Sequence, residues 1–263
     1  MQGAEALICA ADVADTGAIE KVGQNAVAAF GRIDVWVNCA AVLSFGRFED
    51  IPAEVFRRVI ETNVLGYANG ARAALAQFSV QGDRGTLINV GSMLGVVGEP
   101  YSSAYVTTKF AIRGFTACLR QEARNRPGIR ICAVLPAAID TPIYQKAGNV
   151  FGRRTRSMFP VYASERVAEA IVRAVEHPRR EIIVGSVAYA IKFAEKFAPM
   201  LLERSLGRVA PHLQFEDEPQ SRTDGNIFTA TEPHAKEGGW QRYWHARLGG
   251  LVGRFGRGWR SRH

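Results

Sequence analysis

Short apolar runs alternate with longer amphipathic stretches over the first 185 residues. The apolar runs are Ala6–Ala10, Val35–Asn38, Thr86–Val90, Arg130–Leu135 and Ile182–Gly185. Short runs without period-two alternation are typical of strands that are buried on both faces of a parallel sheet. The longer stretches are Thr16–Phe30, Ala53–Phe78, Ala104–Asn125 and Ser164–Glu176. Their length and periodicity predict helices, so the order of elements predicts an α/β fold with a doubly wound parallel sheet.

Residues that end or begin helices stand at the predicted boundaries. Gly31 follows the first helical stretch, Pro52 precedes the second, and Ser164 is placed to cap the fourth. In an open parallel sheet, ligands bind outside the carboxyl ends of the strands. The residues just after the apolar runs, including Asn38 and Ser92, are therefore expected to line one functional edge.

The pattern changes after residue 187. Residues 188–210 predict an amphipathic helical segment that Pro199 kinks or divides. Its apolar stripe is Ile191, Ala194, Phe197, Ala198, Leu201 and Leu202, which favours a core or dimer contact over a membrane anchor. Residues 211–263 are polar and then rich in Gly and Arg, which predicts a poorly ordered tail. Residues 1–187 form the predicted main domain.

Composition narrows the class of protein. The net charge is +8, but six Arg without any Asp or Glu lie between Gly238 and His263, so the excess is mainly a property of the tail and no nucleic-acid partner is expected. The four cysteines are widely spaced, which favours reduced thiols in a cytoplasmic protein. The five histidines lack the spacing of metal ligands, so no metal site is predicted.

The sharpest candidate chemistry is Tyr105-Val-Thr-Thr-Lys109 on a predicted helix, preceded by Ser92 at the end of a predicted strand. Tyr105 and Lys109 share one helix face because they are four residues apart. A phenol with a pKa near 10 needs about 4 kcal/mol of phenolate stabilisation to act at neutral pH, and a nearby ammonium can supply it. Ser92 can orient a carbonyl oxygen that becomes negatively charged.

These motifs, in this order and spacing, resemble the short-chain dehydrogenase/reductase family. The other segments that carry the resemblance are Asp12-Val13, Asn38-Cys-Ala-Ala41, Asn63-Val-Leu-Gly66, Asn89-Val-Gly-Ser92 and Pro136-Ala-Ala-Ile-Asp-Thr141. The resemblance covers about Ala6 to Gly185. It implies a Rossmann-like sheet, NAD or NADP as cofactor, and an alcohol or carbonyl compound, expected to be apolar, as substrate.

The resemblance also implies a role for each matching residue. Tyr105 would be the general acid/base, and Lys109 would lower its pKa and hold the nicotinamide ribose. Ser92 would position the substrate, and Asn63 would hold a water in a proton relay. The remaining cofactor contacts would come from Asp12, Val13, Asn38, Ala40, Ala41, Ile139 and Thr141. For Asn38 and Asn63 the alternative is satisfaction of local backbone groups, and for Asp12 it is a turn.

Two departures from the family pattern stand out. Ala41 replaces a glycine that is usual in the family, which could tighten the cofactor cleft. The family's glycine-rich phosphate-binding turn should precede Asp12 by about two βα units, whereas only 11 residues precede it here. We therefore expect the first βαβα portion of the sheet, on the order of 50 to 60 residues, to be missing at the N-terminus.

Two hypotheses about function follow. The first is an oxidoreductase that interconverts a secondary alcohol and a carbonyl, expected to form a homo-oligomer. The second is a catalytically silent fragment that acts through its amphipathic and basic C-terminal region on a partner or a membrane surface. The segment from Thr141 to Ser164 is expected to cover the substrate. Its apolar residues predict a hydrophobic lid, namely Ile143, Phe151, Met158, Phe159 and Tyr162. Its arginines would meet either an acidic substrate group or solvent.

Overall fold

Four parallel strands form the central sheet in a computed structural model that describes residues 4–231 and 235–247. They are β1 (Val35–Asn38), β3 (Gly85–Val90), β4 (Ile129–Pro136) and β7 (Glu181–Val184), in the spatial order β1-β3-β4-β7. Four other strands lie outside this sheet: β2 (Ser44–Phe45), β5 (Gly148–Asn149), β6 (Arg153–Thr155) and β8 (Phe215–Pro219). The predicted doubly wound parallel sheet is confirmed for this part of the chain.

Helices cover both faces of the sheet. They are α1 (Thr16–Phe30), α2 (Ala53–Ile60), α3 (Gly66–Val80), α4 (Ser103–Glu122), α5 (Ser164–Glu176), α6 (Ser186–Phe197) and α7 (Pro199–Gln214). Successive strand residues point to opposite faces. Leu87 packs with residues of α3 and α4, whereas Ile88 packs with residues of α5. Both side chains are fully buried, which explains why the β3 sequence is continuously apolar.

The local signals set the ends of several helices. Asp15 caps α1 by accepting a hydrogen bond from the Ala18 N–H, and Gly31 ends that helix with a φ of 82° that favours glycine. Pro199 begins α7, so the predicted interruption of the C-terminal helix is confirmed. The predicted cap at Ser164 is wrong, because Ser164 is already the first helical residue and its hydroxyl contacts Glu165.

The predicted strand Ala6–Ala10 is also wrong. This segment has no regular secondary structure and no strand pairing, and Ile8 is 94% exposed. A strand is stabilised by hydrogen bonds to a neighbouring strand. Within residues 4–231 and 235–247, the outer edge of β1 pairs with no strand, so nothing joins Ala6–Ala10 to the sheet. The segment lies instead against α1, where Asn25 contacts Cys9.

The predicted helix Ala53–Phe78 is divided into three parts. A π-helical turn, Glu61–Leu65, separates α2 from α3. A π turn inserts one extra residue into the helical hydrogen-bond pattern and often occurs at functional sites. Here the turn carries Asn63, which is completely buried.

The C-terminal part of the chain packs against the main domain, contrary to the predicted poorly ordered tail. We call residues 199–231 and 235–247 the C-terminal segment. Strand β8 pairs antiparallel with β6, and Phe215 stacks on Phe151 with ring centroids 3.9 Å apart. Trp240 and Trp244 are buried, and residues 240–247 are helical. The prediction missed these anchors because they are single large residues in a polar context. Residues 232–234 and 248–263, which include most of the Arg-rich end, lie outside the described residues.

Candidate active site

Ser92, Tyr105 and Lys109 meet on one wall of a cavity at the carboxyl end of β3. Ser92 follows the strand, and Tyr105 and Lys109 lie one turn apart in α4. The turn Met93–Gly95 brings the serine against that helix, because a Cβ on Gly95 would lie 2.5 Å from the Lys109 carbonyl oxygen. A close approach of two backbones therefore brings the three side chains together.

Lys109 is a buried cation. The residue is 2% exposed, and its Nζ donates a hydrogen bond of 3.1 Å to the Val90 carbonyl oxygen. Nζ also lies 5.2 Å from the centre of the Tyr105 ring and 5.6 Å from that of Tyr67. Burial lowers the pKa of Lys109 to about 8, although the thiol of Cys39 acts in the opposite direction.

The phenol of Tyr105 is less acidic than the sequence predicts, because its pKa is raised rather than lowered. Burial raises its pKa above the ordinary value, as do the charges of Glu99 and Cys39, and hydrogen bonding with Ser92 lowers it only in part. A phenol in these surroundings stays protonated at neutral pH. The Ser92 oxygen accepts a 3.1 Å hydrogen bond from the Leu94 N–H, so the serine proton is available to an acceptor in the cavity, such as the Tyr105 oxygen.

Asn63, in the π turn, forms hydrogen bonds to the loop after β1 and to α4. Its Oδ1 accepts from the Val42 N–H at 2.8 Å, and its Nδ2 donates to the Val42 carbonyl at 2.9 Å and to the Thr108 hydroxyl at 3.1 Å. These bonds position the loop after β1 beside α4. The proton-relay role implied by the resemblance stays a prediction. In the structure the side-chain amide of Asn63 already forms hydrogen bonds to protein groups, so it has a structural role as well.

Asn38 belongs to a buried polar network. Its Nδ2 donates to the Tyr67 carbonyl and to Asn89 Oδ1, and its Oδ1 accepts from Trp36 Nε1. Asn89 in turn donates to the Thr116 hydroxyl of α4 at 2.9 Å. A network in which each polar group has a partner fixes the relative positions of β1, β3 and α4. The side chain of Asn38 therefore has the local structural role that the sequence left open.

Asp12 and Val13 lie just before the N-terminus of α1. Asp12 forms a 2.5 Å ion pair with Arg58 and accepts from the Ala14 N–H. Burial acts to raise the pKa of Asp12, but the hydrogen bond from Ala14 and the charge of Arg58 together lower it below its ordinary value. The Val13 carbonyl accepts from Asn69 Nδ2 at 3.0 Å. Cofactor contacts of either residue stay predictions, and the carboxylate of Asp12 already has protein partners.

The cavity has a volume of about 690 Å³ and a largely apolar lining. Ala41, Ile139 and Thr141 line it together with the catalytic candidates. Ala40 lies instead in a neighbouring groove between β1, α1 and α3, which Val13 and Asn38 also line. The structure thus brings Ser92, Tyr105, Lys109, Ala41, Ile139 and Thr141 to one cavity. Asp12 and Asn63 line neither of these two depressions.

Three of the five predicted lid residues line the cavity, whereas Phe151 stacks on Phe215 and Tyr162 forms a hydrogen bond with Ser186, so the substrate-covering role stays a prediction. Ile143, Met158 and Phe159 line the cavity. Arg153 and Arg154 form ion pairs with acidic residues of β8. Arg156 donates to the backbone carbonyls of His212 and Leu213 and lies over the Trp244 ring. These arginines therefore hold the C-terminal segment in place.

Sequence reasoning missed several cavity residues. Glu99 and Tyr144 line the cavity, and so do four residues of the C-terminal segment, namely Leu206, Gln214, Asn226 and Ala235. Glu99 had one detectable signal, since it is a lone charge between an apolar run and Pro100. Gln214 had none, because the polar composition around it predicted disorder rather than a cavity wall.

Comparison with known proteins identifies the family. A sequence model described as short chain dehydrogenase matches residues 1–149, which is more than half of the chain. The chain belongs to the short-chain dehydrogenase family. An uncharacterized oxidoreductase of Bacillus subtilis, YxnA, is 35% identical over 234 residues, which cover 87% of this chain and 65% of that protein. A probable oxidoreductase of Mycobacterium tuberculosis, EphD, is 35% identical over 211 residues, which cover 75% of this chain and 35% of that protein.

This short-chain dehydrogenase thus spans about two thirds or less of the length of these relatives. A crystal structure of a short chain dehydrogenase from Burkholderia cenocepacia in complex with NADP superposes with a TM-score of 0.65. The two chains are 22% identical, and the superposition covers 76% of this chain and 80% of the other. It confirms the Rossmann-like α/β fold.

The residues present fit the nicotinamide and ribose end of a dinucleotide. An ammonium has three N–H donors, and one of those of Lys109 bonds to the Val90 carbonyl, so two remain for ribose hydroxyls. Ala41, Ile139 and Thr141 add an apolar wall with one hydroxyl beside it. Within residues 4–231 and 235–247, no glycine-rich turn joins a strand to a helix N-terminus where a pyrophosphate would bind.

Described helices give no sign of a membrane span. Each is either too short or too polar to cross a bilayer in the part of the chain that the structure covers.

Proposed function

We propose that this short-chain dehydrogenase interconverts a secondary alcohol and a carbonyl compound, with NAD(P)(H) as the cofactor. The observation that carries the proposal is the convergence of Ser92, Tyr105 and Lys109 on one wall of a largely apolar cavity. The relatives above, which are named an uncharacterized and a probable oxidoreductase, support an oxidoreductase reaction. The apolar lining favours an apolar substrate.

In this proposal Tyr105 donates a proton to the carbonyl oxygen of the substrate. Burial raises the pKa of Tyr105, so the phenol carries a proton at neutral pH and can donate it when a carbonyl is reduced. Ser92 donates a hydrogen bond to the same oxygen, because its own oxygen is held by the Leu94 N–H. Lys109 supplies positive charge close to the ring of Tyr105 and stabilises the phenolate that remains after proton transfer.

The cofactor, when bound, supplies or accepts the hydride. Lys109 would hold the ribose hydroxyls with its two remaining N–H donors, and Ile139 and Thr141 would lie along the nicotinamide. The apolar residues of the lid would exclude water from the reacting carbon.

Titration of the purified chain with NADH and NADPH, followed by reduction assays on apolar cyclic ketones, tests the proposal. Tyr105→Phe should lower turnover by a factor of about 10² to 10⁴, because it removes the proton donor, and should change cofactor affinity less than about twofold. Tyr144→Phe is the matched control, since it removes another phenol of the same cavity and should retain most of the turnover.

Equal turnover by Tyr105→Phe and the unchanged protein would refute the role of Tyr105. Absence of cofactor binding at millimolar concentration would support the silent-fragment hypothesis instead. The predicted homo-oligomer stays a prediction that light scattering of the same sample can test.

A second candidate function rests on the outer surface of α6 and α7. Five large apolar side chains there are 60% to 71% exposed, namely Tyr189, Phe193, Phe197, Met200 and Leu201. Phe197 and Leu201 are therefore not core residues of the single chain, and the dimer contact that the sequence equally predicts for this stripe stays a prediction. Exposed cationic side chains of Lys196, Arg204 and Arg208 lie on the same two helices. An apolar surface with basic neighbours matches an anionic membrane surface.

Cosedimentation with vesicles tests this second function. The chain should bind vesicles that contain phosphatidylglycerol more strongly than vesicles of phosphatidylcholine alone. The double variant Phe193→Ser, Phe197→Ser should lose most of that binding, whereas Phe48→Ser, which changes an equally exposed phenylalanine elsewhere, should keep it. Equal sedimentation of both variants would contradict the assignment.

A further inference from the structure

The two sides of the cavity differ in chemistry. Tyr105 and Tyr144 pack against the same apolar cluster, so the second phenol of the cavity lies on the side of the proposed proton donor. On the other side, α6 packs on the turn that follows Ser92, where Ile191 lies against the cluster that contains Met93. The place of reaction therefore has one side with phenol groups and one side formed by apolar residues.

We call the apolar side the distal pocket. Its residues come from the turn after Ser92, from the predicted lid, from α6 and from α7, namely Leu94, Met158, Phe159, Val187, Ile191 and Leu206. None of these side chains contains a nitrogen or an oxygen. In a ligand site, polar side chains fix orientation and apolar ones supply buried area. The distal pocket can therefore recognise a ligand group only by burying hydrocarbon.

The side chains of the distal pocket are accessible to a ligand. Leu94, Val187, Ile191 and Leu206 are partly exposed, and Phe159 is 48% exposed. Covering such surface with hydrocarbon is favourable, because it removes apolar area from water. A polar group in the same place would lose its hydrogen bonds to water and gain none from these side chains. This selects a hydrocarbon part of the ligand.

The reach of the cavity sets the length of that part. Tyr105 on α4 and Leu206 on α7 both line the cavity. The axes of packed helices lie about 8 to 10 Å apart, so a ligand that touches both side chains extends for on the order of 10 Å. An extended chain advances about 1.2 Å per single bond, so about eight bonds separate the reacting carbon from the far end of the ligand.

We infer that the distal pocket binds an alkyl chain of the substrate, so that the substrate is a lipid-like alcohol or carbonyl compound whose chain runs from the catalytic trio towards Leu206. This inference rests on the proposed function, because it takes the trio as the place where the reacting carbon binds.

A series of ketones that differ in one chain tests the inference. The probes are 4-methyl-, 4-propyl- and 4-pentylcyclohexanone, and their dissociation constants are measured by ligand-observed NMR with the full chain, without cofactor and without turnover. Affinity should rise about three- to fourfold with each added methylene group. The branched isomer 4-tert-pentylcyclohexanone has the same composition as the pentyl ketone but a chain two carbons shorter, so it should bind about tenfold more weakly.

Variants of α7 place the chain in the cavity. Leu206→Trp fills the distal pocket, so it should weaken binding of the pentyl ketone at least about tenfold and change binding of the methyl ketone less than about twofold. Leu206→Ser removes apolar area instead and should weaken only the longer ketones. Val209→Trp, at a 45% exposed position of the same helix, is the matched control and should keep the full dependence on chain length. Thermal unfolding of each variant verifies that it is folded.

Equal affinity for the methyl and pentyl ketones would overturn the inference, and so would equal affinity for the two pentyl isomers or failure of all four ketones to bind. The double variant Phe193→Ser, Phe197→Ser should keep the dependence on chain length. Its loss there would show that the chain binds on the outer surface of α6, and the inference would be wrong. Because binding is measured apart from turnover, a dependence on chain length in a protein that shows no reduction would overturn the proposed function alone.

Discussion

Replacing Lys109 by Met should stabilise this protein while removing a group proposed for catalysis. The pKa of Lys109 falls from its usual 10.5 to about 8 because the side chain is buried. At about 1.4 kcal/mol per pH unit, keeping the charge in the folded state costs about 3 kcal/mol. Methionine has a similar length and no charge. The Val90 carbonyl, which Lys109 contacts, still accepts a 2.8 Å hydrogen bond from Tyr67 in the variant. The net gain at pH 7 is therefore expected to be about 2 to 3 kcal/mol.

The pH dependence of the protein's stability provides a second, independent test of the cost of the buried Lys109 charge. Between about pH 8 and 10.5 the unfolded chain holds a proton on Lys109 that the folded chain has lost. Stability therefore rises with pH across this window, and the cost is fully present below it. The Lys109→Met variant lacks this contribution, so its advantage should shrink from about 2 to 3 kcal/mol at pH 7 towards zero near pH 10.5.

Urea unfolding at pH 7 and pH 10 measures both effects. Lys21→Met, at an exposed position of α1, is the control for methionine itself and should stay within about 0.5 kcal/mol at both pH values. If Lys109→Met is less stable than the unchanged protein at pH 7, Lys109 is stabilising and the argument from its burial is refuted. The same conclusion follows if the difference between the two proteins does not depend on pH.

Two further predictions concern stability. Burial acts to raise the pKa of Glu181, but its two cationic partners lower it to about 2, so the stability it provides is present above about pH 4.5 and lost as the pH falls towards 2. Glu181→Gln should lower the free energy of unfolding, measured with urea or heat, by about 1 to 2 kcal/mol at pH 7 and by little at pH 2. The control is Glu169→Gln, in an exposed ion pair, which should change it by no more than about 0.5 kcal/mol. Equal losses in the two variants would contradict the argument from burial. Gly70→Ala should destabilise by about 2 to 3 kcal/mol, because its Cβ would lie 2.1 Å from Asn38 Oδ1. The control Gly114→Ala, whose Cβ meets no atom within 4 Å, should gain up to about 1 kcal/mol of stability from helix propensity. A gain in Gly70→Ala as well would show that α3 can shift to accommodate the methyl group.

The sequence predicted the sheet well where burial on both faces leaves a continuous apolar run, as in β3 and β4. It failed at Ala6–Ala10 for a physical reason. An apolar run describes what a strand can bury, but pairing depends on a neighbour that the run itself does not reveal. The π turn at Glu61–Leu65 was invisible for a similar reason, since one extra residue in a helix barely changes the helical periodicity.

The candidate site was predictable where spacing carries chemistry. Tyr105 and Lys109 are four residues apart in a helix, so a sequence pattern suffices to place them together. The acidity of Tyr105 was not predictable, because the pattern shows neither the burial nor the nearby Glu99, both of which raise the pKa of the phenol. Gln214 was also beyond reach, because its place in the cavity depends on Phe215 and the tryptophans, which anchor a polar segment one large residue at a time.

The way the C-terminal segment is attached has a consequence for how this enzyme family diversifies. Asp140, close to residues proposed for the cofactor, accepts hydrogen bonds from the backbone N–H groups of Trp240 and Gln241. The segment therefore docks beside residues that are proposed to bind the cofactor, while it contributes other residues, such as Leu206 and Gln214, to the cavity wall. Exchange of this segment between relatives offers a route by which evolution, or an engineer, could change substrate preference and leave the reaction centre untouched.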